Sequence, residues 1–75
     1  MHMTKLWEGQ FPGTFAGYMP GRIHTLPGGS YWIQVGGPIE RATDASPWAA
    51  LLRDEGGATY LDVAGMGERV LVRRV

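Results

Sequence analysis

The chain has no cysteine, and its seven basic and seven acidic side chains leave it with no net charge. Without cysteine it has neither a disulfide nor a cysteine-ligated metal site. The charge is balanced in each half too: residues 1–39 carry two basic and one acidic side chain, and residues 40–75 carry five and six. Neither half has the basic surplus that grips nucleic acid or an anionic membrane. We therefore expect no nucleic-acid partner and no membrane partner.

Long apolar runs are also missing. The opening Met-His-Met-Thr-Lys is not followed by the apolar stretch of a signal peptide, which favours a cytoplasmic location. Apolar residues still make up 44% of the 75 positions, too many for a disordered chain. We expect one small folded domain spanning residues 1–75. A domain of this size buries only roughly 60–65% of its unfolded surface, so its stability margin is thin.

What the chain has in abundance is turn residues. Twelve glycines and five prolines separate segments of four to eight residues, which is the length of strands rather than of helices. Several short strands between regularly spaced turns predict an all-β sandwich or barrel. The predicted turns are Pro12-Gly13, Pro20-Gly21, Pro27-Gly28-Gly29, Gly36-Gly37-Pro38, Gly56-Gly57 and Gly65-Met66-Gly67.

Two hairpins stand out from the alternation of apolar and polar residues. The first joins residues 59–63 to 69–73, and the second joins 22–26 to 30–35. A further strand at 5–11 or at 14–19 completes a sheet of five to six strands. A flat sheet would leave two unpaired edges, so closure into a small barrel is favoured.

Residues 46–56 have two interpretations. Ser46 suits a helix N-cap, Pro47 the first helical turn and Gly56 the position after the helix, so local signals slightly favour a short helix near 47–55. In the other interpretation, residues 50–53 form a strand that pairs with residues 59–63.

The spacing of turn and core residues resembles that of small, uncharacterised bacterial proteins with an SH3-like β-barrel. The resemblance implies a barrel of about five strands in which Trp48–Arg53 is extended, and it implies no activity. The chain departs from the pattern in a shorter first hairpin and in the lack of tyrosines over 37–46. The matching residues are Phe15, Gly17, Tyr18, Gly21, Leu26, Gly28-Gly29, Trp32, Gln34, Pro47, Arg53-Asp54, Gly56-Gly57, Tyr60-Leu61, Val63, Gly65, Val70, Val72 and Arg73-Arg74.

Catalytic patterns are weak. His24 has no second histidine at a ligand spacing, which indicates a structural role. Ser30 and Ser46 lie at turns and lack a G-x-S-x-G frame. The acidic residues lie on predicted loops or strand faces, where exposure to solvent is the simplest interpretation. We predict no catalytic, cofactor or metal site, and the balance is against an enzyme.

Eight aromatic residues are many for so short a chain. Trp32 lies in the better-defined hairpin, and we expect it to be buried at a cost of about 3–5 kcal/mol if truncated. Trp7 and Tyr18 lie near glycines and turns, so we expect them to be exposed and available to a protein or peptide partner.

Two strands are apolar on both faces. In 30–35, Tyr31, Ile33 and Val35 lie on the face opposite Trp32. In 70–75, Leu71 and Val75 lie on the face opposite Val70, Val72 and Arg74. Since one face fills the core, the other predicts a second buried surface, most simply in a homo-oligomer, with a dimer favoured.

The function expected is therefore a small, non-enzymatic protein-interaction domain that self-associates. The alternative is an oligomeric enzyme with its active site at the symmetry axis of several barrels, which rests on fold analogy. A weaker alternative is binding of single-stranded nucleic acid through aromatic side chains.

Overall fold

The structure, a computed structural model, describes residues 2–75, which form β-strands and no helix. The all-β prediction is confirmed, but the strands number eight instead of about five. Both 4–10 and 14–18 are strands, and 40–45 adds one that the sequence did not indicate. The strands are β1 (Thr4–Gln10), β2 (Thr14–Tyr18), β3 (Ile23–Leu26), β4 (Ser30–Gln34), β5 (Glu40–Ala45), β6 (Trp48–Arg53), β7 (Thr59–Val63) and β8 (Val70–Arg74).

The strands form two antiparallel sheets. Six of them pair in the order β1-β6-β7-β8-β4-β3 and curl into a half-barrel. The remaining two, β2 and β5, pair with each other. Phe15 and Tyr18 of β2 belong to the same buried cluster as residues of the large sheet. The two sheets therefore share one core.

The core follows the alternation read from the sequence. In β7, Leu61 and Val63 are buried, and in β8, Val70 and Val72 are buried. Side chains between them lie on the opposite face, as the pleat requires. The buried apolar residues are Phe11, Phe15, Tyr18, Leu26, Ala49, Leu51, Leu61, Val63, Val70 and Val72.

The helix considered near 47–55 is wrong, because residues 48–53 form strand β6. This strand lies between β1 and β7, with Leu51 opposite both Trp7 and Leu61. Pairing on both sides satisfies the backbone of β6 and of its neighbours, which a helix would leave unpaired. Ser46 has a φ of 47° and its amide bonds to Gly13, so it closes a loop rather than capping a helix. The extended segment implied by the family resemblance is confirmed.

Gly17 is required where β2 meets β5. Its φ of 105° lies in a region that side chains avoid, and an added Cβ would overlap the carbonyl oxygen of Glu40. The register of the two strands also shifts between Phe15 and Gly17, which marks a bulge. The bulge and the missing side chain let β2 lie close against β5.

The predicted exposure of Tyr18 is wrong: only 1% of this residue is exposed. Its hydroxyl donates to the Leu61 carbonyl (3.3 Å) and accepts from the Val63 amide (3.0 Å). Burial raises the pKa of this phenol to about 12. The nearby turn suggested exposure, but Tyr18 belongs to the core that the two sheets share.

Candidate functional site

The outer faces of β3, β4 and β8 form an apolar surface, here called the outer patch. Cross-strand register holds it together: Ile23 lies opposite Ile33, the Val35 amide bonds to the Leu71 carbonyl, and that of Val75 to the Tyr31 carbonyl. Its members are Ile23, Tyr31, Ile33, Val35, Leu71 and Val75. They lie on the opposite face from His24, Gln34 and Val72, which fill the core.

Most of the outer patch is open to solvent. Val75 is 71% exposed, Ile23 53%, Tyr31 51% and Leu71 37%, while Ile33 is partly buried among its neighbours. Single exposed apolar residues are ordinary, but a group on three adjacent strands is typical of interaction sites. The outer patch is therefore the strongest candidate for a binding surface among residues 2–75.

One positively charged side chain, that of Arg73, lies among the residues of the outer patch. Arg73 is exposed on β8, and it lies opposite Ile33 in the register of β4 and β8. The side chains of the six patch members are uncharged. A partner surface that covers the patch must therefore leave room for a guanidinium group, or offer it an acceptor.

Four of the predicted interaction residues come together in the outer patch: Tyr31, Ile33, Leu71 and Val75. Trp7 lies elsewhere, on the inner side of β1, where it is partly buried and packs against the core. Tyr18 is inside the core.

Two members of the outer patch, Ile23 and Val35, were not among the interaction residues predicted from the sequence. The signal for Ile23 was present, because alternation in residues 22–26 places His24 and Leu26 inward and Ile23 outward. Val35 was placed by alternation on the same face as Tyr31 and Ile33, and it continues the pleat just beyond the end of β4.

Trp32 lies on the predicted face but is only partly buried. Its ring packs against the core, and its indole Nε1 donates to the Ser30 hydroxyl at 3.0 Å. In the register of the sheet it lies between His24 of β3 and Arg74, the last residue of β8.

His24 has a structural environment. Its ring stacks on Phe15 at 5.7 Å between centroids and meets the ring of Phe11 edge-on. Its Nε2 is buried and has no hydrogen-bond partner within residues 2–75. Burial, together with the nearby Arg22 guanidinium, lowers the pKa of the imidazole to about 4. The side chain is thus neutral at physiological pH.

Two shallow clefts lie outside the outer patch. The first, of about 420 Å³, is lined by polar groups, and within it the Arg69 guanidinium lies 5.5 Å from the centre of the Tyr60 ring. The second, of about 330 Å³, lies between β2 and β5 beside Arg22 and Ile39. Across residues 2–75 no three His, Asp or Glu side chains are grouped to hold a metal ion. Nor is any helix of this part of the chain long and apolar enough to cross a membrane.

The chain was compared with protein-family models, curated proteins and solved structures. No family model, curated protein or solved structure matches the chain.

Proposed function

We propose that this chain is a small, non-enzymatic protein-interaction domain that associates with itself through the outer patch. The observation that carries the proposal is the exposure of five large apolar side chains on three neighbouring strands. A monomeric antiparallel sheet of this size ordinarily presents a polar outer face to water. A homodimer is the simplest assembly, because a two-fold contact buries the same patch on both chains.

The magnitudes are compatible with a dimer. Burying an Ile or Leu side chain completely contributes roughly 1.5–3 kcal/mol. Association costs an estimated 4–15 kcal/mol in lost translational and rotational freedom, so several patch residues from each chain have to be covered. The proposal includes an SH3-like barrel as the scaffold, supported by the curled six-stranded sheet and its two-stranded complement.

Sedimentation equilibrium over a range of concentrations tests the proposal. We expect a mass above the 8.2 kDa of one chain, rising with concentration. Leu71→Lys places a charge in the outer patch, and we expect it to weaken association at least about tenfold while the β-type circular dichroism is retained. A mass of 8.2 kDa at every concentration would contradict the proposal.

The chain offers a matched control for this substitution. Leu6 is 40% exposed, close to the 37% of Leu71, but it lies on β1 at the other end of the sheet. Leu6→Lys therefore adds the same charge at a similar exposure outside the outer patch. It should leave the mass unchanged. Equal weakening by both variants would indicate a general charge effect and not a specific contact.

The same preparation tests nucleic-acid binding. We expect weak binding to single-stranded oligonucleotides at physiological salt, because Arg73 does not lie in a continuous basic stripe. Fluorescence anisotropy at two salt concentrations measures this. A tight complex that weakens steeply with salt would replace self-association as the favoured function.

A further inference from the structure

The edge of β3 that faces away from β4 is unpaired. The Gln34 amide donates a hydrogen bond to the Arg22 carbonyl, so the backbone carbonyl of Arg22 points toward β4. In an antiparallel pair every second residue points its N–H and C=O groups at the neighbouring strand, so those of His24 and Leu26 also point toward β4. The N–H and C=O groups of Ile23 and Thr25 then point to the other side. Because β3 is the last strand of its sheet, these four groups have no strand partner within residues 2–75.

Nothing in the sequence of β3 blocks pairing at this edge. Its four residues, Ile-His-Thr-Leu, include no lysine, arginine, acid or proline, and the register with β4 runs without a bulge. Natural edge strands are usually protected from association by such features or by being very short, and of these β3 has only its length of four residues. The side chains of Ile23 and Thr25 are exposed, so the backbone between them is accessible to another strand.

We propose that β3 pairs along this edge with β3 of a second copy, antiparallel and centred on His24. In that register Ile23 lies opposite the partner's Thr25, and the two-fold axis repeats the pair, which gives four backbone hydrogen bonds. A shift by one step toward the turn would put Pro27, which has no N–H, opposite Ile23. The centred register is therefore the one that uses all four unpaired groups of each strand.

Charge favours a second copy as the occupant. Each β3 is uncharged, and the two Arg22 side chains lie at opposite ends of the paired strands. Arg73 lies two strands from the edge, so the two copies of it are about five strand spacings, or roughly 24 Å, apart. That distance exceeds the Debye length of about 8 Å at physiological ionic strength. The edge contact thus brings no like charges together.

This contact goes beyond the proposed function, because patch-to-patch association needs no strand pairing. The outer patch and the β3 edge are different surfaces, so the two contacts can be separated experimentally. Four residues per strand give a small interface, for which we expect a dissociation constant in the micromolar range or weaker.

Leu71→Lys provides the background in which to test the edge, since its charge weakens the outer patch and leaves β3 intact. By amide hydrogen exchange at low and high protein concentration, we expect the Ile23 and Thr25 amides to become at least about tenfold more protected at high concentration. The His24 amide, already bonded to β4, should be protected equally at both.

Thr25→Pro in the same background removes an N–H that points to the free edge and keeps the bonds to β4. We expect it to weaken the residual association at least about tenfold. Thr25→Val keeps the N–H and the branched side chain, and it should associate like the Leu71→Lys parent. If Thr25→Pro fails to fold, the hydrogen-exchange comparison still decides.

The outcomes distinguish the two contacts. Monomeric Leu71→Lys with unprotected Ile23 and Thr25 amides at high concentration would overturn the edge proposal and leave the outer-patch proposal standing. If the wild-type protein assembles only through the β3 edge and Leu71→Lys has no effect on its mass, the outer-patch proposal is overturned and the edge proposal stands. A wild-type monomer whose Ile23 and Thr25 amides are unprotected at every concentration would overturn both.

Discussion

The two edge strands of the six-stranded sheet, β1 and β3, differ in how they are protected from further pairing. On β1, Leu6 forms a bulge between Lys5 and Trp7, and Lys5 bonds to Glu8 at 3.0 Å. Strand β3 has no bulge and no charge. Bulges and charged side chains are the usual means by which sheets avoid edge-to-edge association. Only the β1 end of the sheet therefore has a bulge and charged side chains that oppose pairing with a further strand.

Exposed apolar side chains are more numerous at the β3 end, where five lie in the outer patch, than near β1, where Leu6 and Trp48 are exposed. The outer patch lies on the three strands that end with β3, whereas the outer side of β1 carries Lys5 and Glu8. Hydrogen bonds from Lys5 and from the Trp48 indole hold the pKa of the exposed Glu8 carboxyl below its usual 4.5. The edge without a bulge or a charge and the larger exposed apolar surface therefore lie at the same end of the sheet.

The largest expected effect is on the free energy of unfolding, and it is measured by truncating one tryptophan near each end of the sheet, Trp32 on β4 and Trp7 on β1. Trp32→Ala should lower the free energy of unfolding by about 3 kcal/mol, because it removes a ring packed on the core and its hydrogen bond to Ser30. Trp7→Ala should cost less, because Trp7 packs on the core and its side chain has no hydrogen-bond partner among residues 2–75. Urea denaturation of both variants measures the difference. A Trp32→Ala protein as stable as the wild type would show that this ring contributes to binding and not to folding.

Acid should lower the stability of the domain through His24, which lies on β3. The pKa of His24 is lowered from 6.5 to about 4 in the folded chain, so between these values the unfolded chain takes up a proton that the folded chain refuses. The free energy of unfolding should fall as the pH drops from 6.5 to 4, by up to about 3 kcal/mol. It should be pH-independent, as far as His24 is concerned, above 6.5.

A matched variant isolates this contribution. His24→Phe removes the titrating group and keeps an aromatic ring between Phe11 and Phe15, so the fall between pH 6.5 and 4 should become much shallower. Denaturant titrations at several pH values compare the two proteins. An unchanged pH profile in the variant would assign the acid sensitivity to other groups.

The smallest expected effect is at the β1 end. The pair between Lys5 and Glu8 is exposed to solvent, so Lys5→Ala should leave the free energy of unfolding nearly unchanged. Replacing both Lys5 and Glu8 by valine should instead strengthen self-association, because it removes the charges that oppose strand pairing at the β1 edge. Sedimentation of the double variant in the Leu71→Lys background checks this, and an unchanged mass would show that the bulge alone protects β1.

Much of the outer patch could be predicted from the sequence because alternation has a period of two. Once Trp32, Val70 and Val72 are assigned to the core, Tyr31, Ile33 and Leu71 must lie outside. The unpaired edge of β3 could not be predicted this way. Which strand ends a sheet depends on the pairing of distant segments, and β4 pairs with β8 almost forty residues later.

Local signals were misleading at two places. Around Ser46 and Pro47 they favour a helix, yet pairing with β1 and β7 determines a strand. At Tyr18 the neighbouring turn suggested exposure, yet the hydroxyl bonds to β7, more than forty residues away.

The sequence by itself determined the all-β class, most of the turns and the two-sided apolar character of β4 and β8, since each depends on neighbouring residues and the geometry of the pleat. Only the tertiary structure decided that residues 48–53 are a strand, that Tyr18 is buried, and that Gly17 must lack a side chain where β2 meets β5. These outcomes depend on contacts between segments far apart in the chain. Such contacts are selected by the burial and hydrogen bonding of the whole domain, which overrides weak local preferences.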